Sequence, residues 1–457
     1  MKRKIVSLLL VGLLLFSLTG CKKELPVEDD YAESTVSDEV ANNKNNEISL
    51  TDSETNSENS VDSDELSSDT TSKTEVKLVP EEGAHLLFWT PDIEFGEAVA
   101  KNFEAEYGVP VTVEEVGLGA IDKIALSGPA GTGADIFMCP HDSFEHGVSS
   151  GLFLELDNPI VSGLKERVNE VGLKTVTSAN KTYGVPISLE TSCLFYNKDI
   201  VGDTPAKTLE EIFDKAKGFN DPNNNKFYIL YTIGDGYKIY PMLSAYGFSL
   251  FGKDGLDADN PGFDTDEFEK GLELVSSLKD VMPINSTDLG NVSFLQNQFT
   301  EGKVAYEITG PWDIKTFKKS GVNFGVTVLP TFNGNALTPF AGVQNAHVSA
   351  FTNYPNAAQL FAEYLVTDES ASLLYEKADK IPTLKDVTNV KGIAEDEYIK
   401  PFVMQFANSY PMPSVKRISY YWSISAGLCQ AVFDGQLTPK EGREKAVADW
   451  NTMLTTE

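Results

Sequence analysis

Aromatic and acidic side chains occur together at several positions where a predicted strand gives way to a turn. Tryptophan and tyrosine residues follow Gly-Pro, Met-Pro and Asp-Gly pairs, which are typical of turns, and carboxylates follow directly after predicted strands. Functional side chains are often carried on such loops. The candidates are Asp142, Glu190, Asp235, Tyr237, Tyr240, Trp312 and Trp422, with Asp92 as a further carboxylate after the first predicted strand.

This combination has the chemistry of a carbohydrate site. Sugar rings present apolar C–H faces, which flat aromatic rings cover, and hydroxyl groups, which donate strong hydrogen bonds to carboxylates. Taken one at a time, each aromatic residue could equally belong to the core and each carboxylate could lie in solvent. Trp89, inside a predicted strand, and Trp450, inside the last predicted helix, are predicted to be core residues.

Other site chemistries find little support in the sequence. His141 and His146 are five residues apart, which does not place them on one helical face, and the glycine-rich stretch 128–133 lacks the Lys-Ser/Thr of a phosphate loop. We therefore expect no metal and no cofactor. A catalytic carboxylate pair that includes Glu190 remains open, because an acidic chain contains many carboxylates, and it would make the protein a surface glycoside hydrolase.

Strands and helices alternate along the chain, which predicts an α/β fold with a parallel sheet. Thr208 with Glu211 and Thr438 with Glu441 have the spacing of capping boxes at helix starts. The predicted strands are 85–90, 109–116, 135–138, 183–188, 193–197, 304–308 and 324–329, and the main predicted helices are 93–107, 121–126, 208–217, 263–279, 293–301, 356–366 and 439–453.

The N-terminus has the pattern of a secretory signal. Lys2, Arg3 and Lys4 precede a short apolar run, which is too short to span a bilayer, and small residues follow before Cys21. The ending Leu-Thr-Gly-Cys resembles the lipobox of bacterial lipoproteins, in which the cysteine is diacylated and becomes the first mature residue. Two acyl chains suffice for stable anchoring. An ordinary secreted protein, with Cys21 incidental, is the alternative.

Residues 21–82 are predicted to form a disordered acidic linker after the signal peptide, residues 1–20. From Lys22 to Glu82 there are 18 acidic and 5 basic residues, a net charge of −13, and Tyr31 is the only aromatic residue. Such a segment cannot bury enough apolar surface to offset its loss of conformational entropy. We expect it to hold a folded body, residues 83–457, away from the membrane.

The composition also limits the partners. The net charge of −31 argues against nucleic acid and against docking on anionic lipid, because both need a basic surface. Apart from Cys21, the cysteines are Cys139, Cys193 and Cys429, far apart in sequence. Three buried thiols are favoured over one disulfide with a spare thiol. The length of the body predicts two or three domains.

Several motifs of the body resemble the maltose/maltodextrin-binding proteins of sugar ABC transporters. The resemblance runs from about Glu81 to the C-terminus, with the motifs in the same order as in that family. The matching stretches are 134–142, 186–199, 302–312, 322–332 and 412–422, which include His141-Asp142, Pro186-Ile-Ser-Leu-Glu190, Gly310-Pro-Trp312 and Met412-Pro413.

This resemblance implies two α/β lobes joined by crossing segments, with a sugar in the cleft between them. The N-terminal lobe would comprise residues 83–190 and 346–393, and the C-terminal lobe residues 191–345 and 394–457. Carried over by position, Asp142 and Glu190 would bind hydroxyls from the first lobe and its hinge. Asp235, Tyr237, Trp312 and Trp422 would contact the sugar from the second lobe, with Asp92 and Tyr240 as further candidates.

The chain also departs from the family at positions that would face the ligand. Cys139 stands where the family has a sugar-facing tryptophan, and Ser143 and Ala426 stand at arginine positions. No lysine near Asp92 in the sequence matches the family's cleft lysine. A maltodextrin is therefore the first expectation, with another oligosaccharide or a non-sugar solute as alternatives.

Together these features predict a monomeric receptor that performs no catalysis. It would sit on the extracellular face of a Gram-positive-type cell membrane, held there only by its lipid anchor. Its partners would be an oligosaccharide and the permease subunits of an ABC importer.

Replacing Cys21 by alanine tests the anchor. Because lipidation needs the thiol, we expect Cys21→Ala to move the protein from the membrane fraction to the medium while leaving its sugar affinity unchanged. Fractionation and immunoblotting measure this, with Cys429→Ala as the matched cysteine control. Retention of Cys21→Ala in the membrane fraction would contradict the lipid anchor.

Overall fold

The computed structural model describes residues 78–387 and 389–456. The predicted signal peptide, Cys21 and the linker up to residue 77 lie outside the described residues. The helices are α1 Ile93–Tyr107, α2 Ala120–Ser127, α3 Phe144–Ser149, α4 Asn158–Arg167, α5 Glu170–Lys174, α6 Lys198–Val201, α7 Leu209–Phe219, α8 Gly236–Leu243, α9 Asp266–Val281, α10 Ser286–Leu289, α11 Val292–Thr300, α12 Ile314–Ser320, α13 Pro355–Tyr364, α14 Asp368–Ala378, α15 Lys400–Phe406, α16 Ile418–Phe433 and α17 Pro439–Thr455.

Two main sheets carry most of the strands. The strands are β1 Leu86–Thr90, β2 Val111–Glu115, β3 Ile136–Pro140, β4 Thr177–Ser178, β5 Lys181–Thr182, β6 Val185–Glu190, β7 Cys193–Asn197, β8 Phe227–Leu230, β9 Val304–Thr309, β10 Phe324–Thr327, β11 Thr331–Phe332, β12 Asn335–Ala336, β13 Phe340–Val348, β14 Ile381–Pro382 and β15 Tyr410–Pro411. The predicted alternation of strands and helices is confirmed, with boundaries shifted by a few residues.

The larger sheet has the order β14-β6-β13-β3-β1-β2, with β15 paired to β13. Its β1, β2 and β3 are parallel, as predicted, but β13 runs antiparallel to both β3 and β6. The start of β13 pairs near the ends of β3 and β6, with Gln344 opposite Pro140 and Gly342 opposite Glu190. The sheet is mixed because β13 enters it from the side at which β3 and β6 end.

The smaller sheet has the order β10-β7-β9-β8. Strand β9 is parallel to β8 and antiparallel to β7, and every residue of β9 is buried. The chain passes from β6 in the larger sheet to β7 in the smaller one, and β13 returns it to the larger sheet. The predicted boundary between residues 345 and 346 falls within β13.

Helix caps explain where several helices begin. Thr438 accepts from the N–H of Glu441, whose carboxylate accepts from the N–H of Thr438, so the predicted capping box of α17 is confirmed. At α7, Thr208 accepts from Glu211 N–H, but the Glu211 carboxylate takes the N–H of Lys207 instead. The first described residues contribute another cap, since the carboxylate of Glu81 accepts from two N–H groups at the start of α13.

The three described cysteines, Cys139, Cys193 and Cys429, are buried free thiols, as the sequence favoured. Trp89 and Trp450 are core residues, 1% and 4% exposed, as predicted. Across the described ranges, no helix has the length and apolar character needed to cross a membrane.

Helix α9 supports α8 through a close backbone contact at Gly271. A Cβ atom placed at Gly271 would lie 2.3 Å from the carbonyl oxygen of Leu243, the last residue of α8. Backbone atoms cannot yield as a flexible side chain can, so the contact requires glycine. Helix α8 is thereby held at a fixed distance, which matters because its first turn lies in the cleft described below.

We expect Gly271→Ala to lower the free energy of unfolding by about 1–3 kcal/mol, because the methyl group would overpack this contact. Gly427→Ala is the matched control, since Gly427 lies in the middle of α16 with open space around it. There alanine should stabilise by about 0.5–1 kcal/mol through helix propensity. Urea unfolding of both variants measures the difference, and equal stability of the two would contradict the proposed contact.

Candidate functional site

A cleft of about 1310 Å³ lies where strands from both sheets end. Four of the side chains that line this cleft follow the carboxyl end of a strand, which is where open α/β sheets bind their ligands. From the larger sheet, Asp92 follows β1 and Asp142 follows β3. From the smaller sheet, Asp235 follows β8 and Trp312 follows β9.

The structure brings seven of the eight predicted cleft residues together. The seven are Asp92, Asp142, Glu190, Asp235, Tyr237, Trp312 and Trp422. The eighth, Tyr240, lies in the core, where it is 0% exposed and its ring stacks on Phe340 at 3.8 Å between centroids. Tyr237 and Tyr240 are three apart on α8 and both rings contact Phe340, but only Tyr237, in the first turn, reaches the cleft.

Asp142 and Trp422 meet across the cleft. The indole Nε1 of Trp422, on α16, donates to Oδ2 of Asp142 at 2.9 Å. The other oxygen, Oδ1, is buried and accepts no well-aligned hydrogen bond. Burial raises the pKa of Asp142, while His141, Trp422 and the N–H groups of its own turn act in the opposite direction. The carboxyl therefore keeps one acceptor position for a hydroxyl group.

His141 connects the turn of Asp142 to two other segments. Its Nδ1 accepts from the N–H of Val343 at 3.0 Å, and its Nε2 lies 2.8 Å from the carbonyl oxygen of Met412. Because Nδ1 is an acceptor, the proton is on Nε2, which donates to Met412. Burial lowers the pKa of His141, so the neutral ring agrees with this geometry. The ring ties the Asp142 turn to β13 and to the segment before α16.

A buried ammonium group, Lys380, joins two of the predicted carboxylates. Its Nζ lies 2.8 Å from Oδ2 of Asp92 and 3.3 Å from Oε1 of Glu190, and its side chain is 6% exposed. Burial alone would lower the pKa of Lys380, but the charges of Glu190 and Asp92 raise it above its usual value. Gln344 Nε2 donates to the second oxygen of Glu190 at 3.1 Å.

Sequence reasoning missed Lys380. The lysine stands 288 positions after Asp92 and 190 after Glu190, so no spacing rule connects them. The available signal was a lysine directly before the apolar pair Ile381-Pro382, which forms β14 beside the end of β6. A lysine that adjoins a buried strand needs an acidic partner. Asp92 and Glu190 were already candidate residues of the cleft and could supply one.

Asp235 has a structural task as well as a place in the cleft. It is the N-cap of α8, and its Oδ1 accepts from the N–H groups of Tyr237 and Lys238. The cap directs the first turn of α8 so that Tyr237 enters the cleft. The hydroxyl of Tyr237 donates to the carbonyl oxygen of Phe340 at 3.3 Å, which ties this ring to β13.

Trp312 lies flat on its own turn. A Cβ atom at Gly310 would lie 2.1 Å from the ring, so only glycine leaves room for the indole. Nε1 of Trp312 donates to the hydroxyl of Thr309 at 3.2 Å, and that hydroxyl donates to Asp313 at 2.5 Å. The ring meets Tyr237 edge-on, with 6.3 Å between centroids. The indole is thereby fixed as one aromatic face of the cleft.

The three departures noted in the sequence fall in different places. Ser143 and Ala426 line the cleft, whereas Cys139 is 1% exposed and packs in the core of the larger sheet. Burial raises the pKa of the Cys139 thiol, so it stays protonated. For metal binding, the described part of the chain holds no group of three or more His, Cys, Asp or Glu side chains arranged around one point.

Comparison with known proteins identifies relatives of this arrangement. Residues 98–401 match the family model of the bacterial extracellular solute-binding proteins. A galactooligosaccharide-binding protein of Bacillus subtilis is 31% identical over 375 residues, covering 80% of this chain and 88% of the relative. A maltooligosaccharide ABC transporter solute-binding lipoprotein of Streptococcus pneumoniae is 31% identical over 359 residues, covering 77% and 84%.

Solved structures of sugar-binding proteins are also similar to this chain. MalX from Streptococcus pneumoniae in complex with maltopentaose superposes with a TM-score of 0.73 and 29% identity, covering 81% of this chain and all of that one, 100%. A cyclo/maltodextrin-binding protein complexed with maltotetraose gives a TM-score of 0.69 and 28% identity, covering 81% and 97%. The predicted two-lobe fold and the predicted resemblance are thereby confirmed.

The contact of Lys380 with two carboxylates predicts a large effect on stability. Lys380→Met should lower the free energy of unfolding by about 3–5 kcal/mol at neutral pH, because it leaves Asp92 and Glu190 buried without a counter-charge. Lys385→Met, at an exposed position, is the matched control. Urea unfolding of both variants measures the loss, and a Lys380→Met protein as stable as the Lys385→Met control would contradict the role given to this ammonium group.

Proposed function

The chain belongs to the bacterial extracellular solute-binding proteins, and we propose that it captures a neutral oligosaccharide for an ABC importer. A maltodextrin is the leading candidate ligand. The proposal is supported chiefly by one feature, in which Trp312 and Trp422 line the same cleft as a buried carboxyl, Asp142, whose Oδ1 has no well-aligned donor among the described residues. Aromatic faces beside a free acceptor match a sugar ring, which offers C–H faces and hydroxyl donors together.

The cleft is large enough for a ligand of several sugar rings. Its volume of about 1310 Å³ exceeds the roughly 300–1,000 Å³ of typical small-molecule sites. One relative named above is a maltooligosaccharide ABC transporter solute-binding lipoprotein, and the two solved structures named above are complexes with maltopentaose and with maltotetraose. These relatives favour a linear oligosaccharide over a monosaccharide.

A galactooligosaccharide is the second candidate. It is favoured by the Bacillus subtilis relative, which is as similar to this chain as the maltooligosaccharide relatives are, at 31% identity. Ser143 and Ala426 are small side chains in the cleft wall, and they leave room for a ring with a different linkage.

We propose that binding draws the two lobes together. The N-terminal lobe, residues 83–190 with 346–393, and the C-terminal lobe, residues 191–345 with 394–457, would close around the sugar. Contacts such as that between Asp142 and Trp422 join residues of the two lobes and would favour the closed state. The closed form would then be recognised by the permease subunits.

The anchor and location follow from the N-terminal sequence and from the family. We propose that Cys21 carries the lipid and that the acidic linker lets a monomeric body reach the permease from the extracellular face of the membrane. The described end of this linker contacts the body, since Glu81 caps α13. A tether whose last residues are docked would limit how freely the body turns.

Catalysis is not part of the proposal. Glu190, a member of the catalytic carboxylate pair that the sequence left open, is engaged by Lys380 on one oxygen and by Gln344 on the other. Both of its oxygens therefore already serve as acceptors for neighbouring side chains of the cleft wall. Incubation with the bound sugar should release no product, as measured by chromatography.

Isothermal titration with linear maltooligosaccharides of two to seven units, galactooligosaccharides and a set of non-sugar solutes tests the ligand class. We expect micromolar or tighter binding of one oligosaccharide series. Binding of a non-sugar solute alone, with no sugar bound, would overturn the proposal, and hydrolysis abolished by Glu190→Gln would favour the glycoside hydrolase instead.

Removal of the aromatic faces should weaken sugar binding. We expect Trp312→Ala and Trp422→Ala each to cost about 1–3 kcal/mol of binding free energy, because each removes a stacking surface. Trp312→Phe is the matched control, since it keeps a flat ring and should retain most of the affinity. Unchanged affinity in both alanine variants would place the sugar elsewhere.

A further inference from the structure

A buried carboxyl lies directly behind the aromatic wall of the cleft. Glu307 is 3% exposed on β9, and its Oε2 has no hydrogen-bond partner. It lies two residues before Thr309, so the two side chains share one face of the strand. Thr309 is the residue whose hydroxyl accepts from Trp312. Glu307 is therefore one step behind the ring that we expect to stack on the sugar.

A buried ammonium group lies in the cleft wall beside the same ring. Lys238, in the first turn of α8, is 7% exposed, lines the cleft and lies 5.9 Å from the centroid of Trp312. Among the described carboxylates, none forms an ion pair with it at short range. A lysine buried to this extent is costly unless something accepts its hydrogen bonds.

The charges around Glu307 explain why it does not neutralise Lys238. Burial raises the pKa of Glu307 to about 8, with the charge of Asp313 acting in the same direction and that of Lys238 opposing it. Asp313 and Lys238 are the charged groups that face it from the turn after β9 and from α8, while the paired residues of β7 and β8 are Phe195 and Leu230. At pH 7 most of Glu307 is protonated, so the positive charge of Lys238 is available.

Asp313 cannot take the place of Glu307 as the partner of Lys238. Its Oδ2 accepts from Thr309, and its Oδ1 accepts from Gln296 at 2.6 Å. Both of its oxygens are therefore used in holding the turn that carries Trp312. Beyond its contact with the Trp312 ring, the ammonium of Lys238 therefore has no hydrogen-bond acceptor or carboxylate partner among the described residues.

We propose that Lys238 contacts the ligand, donating hydrogen bonds to oxygen atoms of the sugar ring that stacks on Trp312, and that Glu307 controls this contact from behind. With Glu307 neutral, the ammonium faces the sugar. With Glu307 ionised, the carboxylate competes for the ammonium and the sugar loses a charged donor. Lys238 is then a specificity residue, Glu307 is a positioning residue, and the inference rests on the proposed oligosaccharide function.

Titration calorimetry at pH 6.5 and pH 9 tests this on the whole folded protein, with maltopentaose or the galactooligosaccharide that the panel selects. We expect Lys238→Met to weaken binding at pH 6.5 by about 10- to 100-fold, the range for a lost hydrogen bond to a charged group. Lys440→Met is the matched control, because Lys440 is exposed at the start of α17 and does not line the cleft. It should change the affinity by less than about twofold.

The pH profile tests the role of Glu307. The affinity of the unchanged protein should fall by about three- to tenfold between pH 6.5 and pH 9, as Glu307 loses its proton and competes for Lys238. Glu307→Gln should bind as tightly as the unchanged protein at pH 6.5 and should keep that affinity at pH 9. A profile that falls equally in Glu307→Gln would overturn the role given to this residue.

The melting temperature without ligand tests the protonation of Glu307 independently of sugar binding. The pKa of Glu307 is higher in the folded than in the unfolded chain, so its contribution to stability is complete below the unfolded value and is lost as pH rises through about 8. The melting temperature of Glu307→Gln, relative to the unchanged protein, should therefore increase from pH 5 to pH 9. Equal pH profiles of the two melting temperatures would contradict a buried carboxyl with a raised pKa.

The outcomes for the two proposals differ. If the unchanged protein binds a sugar and Lys238→Met binds it equally, the contact of Lys238 is wrong and the oligosaccharide function stands. If no sugar in the panel binds, both fail. Lys238→Arg keeps the charge and should bind the sugar more tightly than Lys238→Met. If a folded Lys238→Arg protein binds no better than Lys238→Met, the packing of the lysine stem, and not its charge, explains the loss.

Discussion

Strand β13, Phe340–Val348, is the element on which the site depends, because it is buried along its whole length and hydrogen-bonds to both sides of the cleft. Its Phe340 carbonyl accepts from Tyr237, and its Val343 N–H donates to His141. Its Gln344 side chain donates to Glu190. Both faces of this strand are buried, so a shift by one residue would exchange the side chains packed on each face, and these attachments therefore have one register. Strand β13 therefore fixes the relative positions of cleft residues that come from distant parts of the sequence.

The carboxylates of the cleft have different partners, and these partners determine which ligands the cleft can bind. Asp92 and Glu190 are neutralised by Lys380, and Asp235 is used as a helix cap. Within the part of the chain that the structure describes, Asp142 keeps an oxygen without a well-aligned donor, and the ammonium of Lys238 contacts the Trp312 ring but has no hydrogen-bond acceptor. A strongly anionic ligand would meet several carboxylates, whereas hydroxyl groups can both donate to Asp142 and accept from Lys238. The cleft thus suits a neutral, hydroxyl-rich molecule, although the chain as a whole carries a net charge of −31.

Close backbone contacts at two glycines hold the elements behind the cleft in fixed positions. Gly310 lets an indole lie on the backbone, and Gly271 lets α9 approach the end of α8. Two aromatic walls and a capped helix turn are thereby held close to fixed positions before any ligand arrives. Preorganisation of this kind lowers the entropic cost of binding, which would otherwise be set against each sugar contact. A cost appears elsewhere, since the described residues include buried polar atoms without a hydrogen-bond partner, such as Oε2 of Glu307.

The sequence by itself determined the class of fold, most element positions and seven of the eight residues that line the cleft. These follow from local rules, since strand ends, turn pairs, caps and motif order are all readable over a few residues. The tertiary structure alone decided that Tyr240 is core, that Lys380 joins Asp92 to Glu190, and that Glu307 lies behind Trp312. The reason is physical, because pKa values and ion pairs depend on distance and burial, and these are set by strand pairing between segments far apart in the chain. Tyr237 and Tyr240 share one face of α8 and both contact Phe340, and only the packing of that helix end leaves the first ring in the cleft and the second in the core.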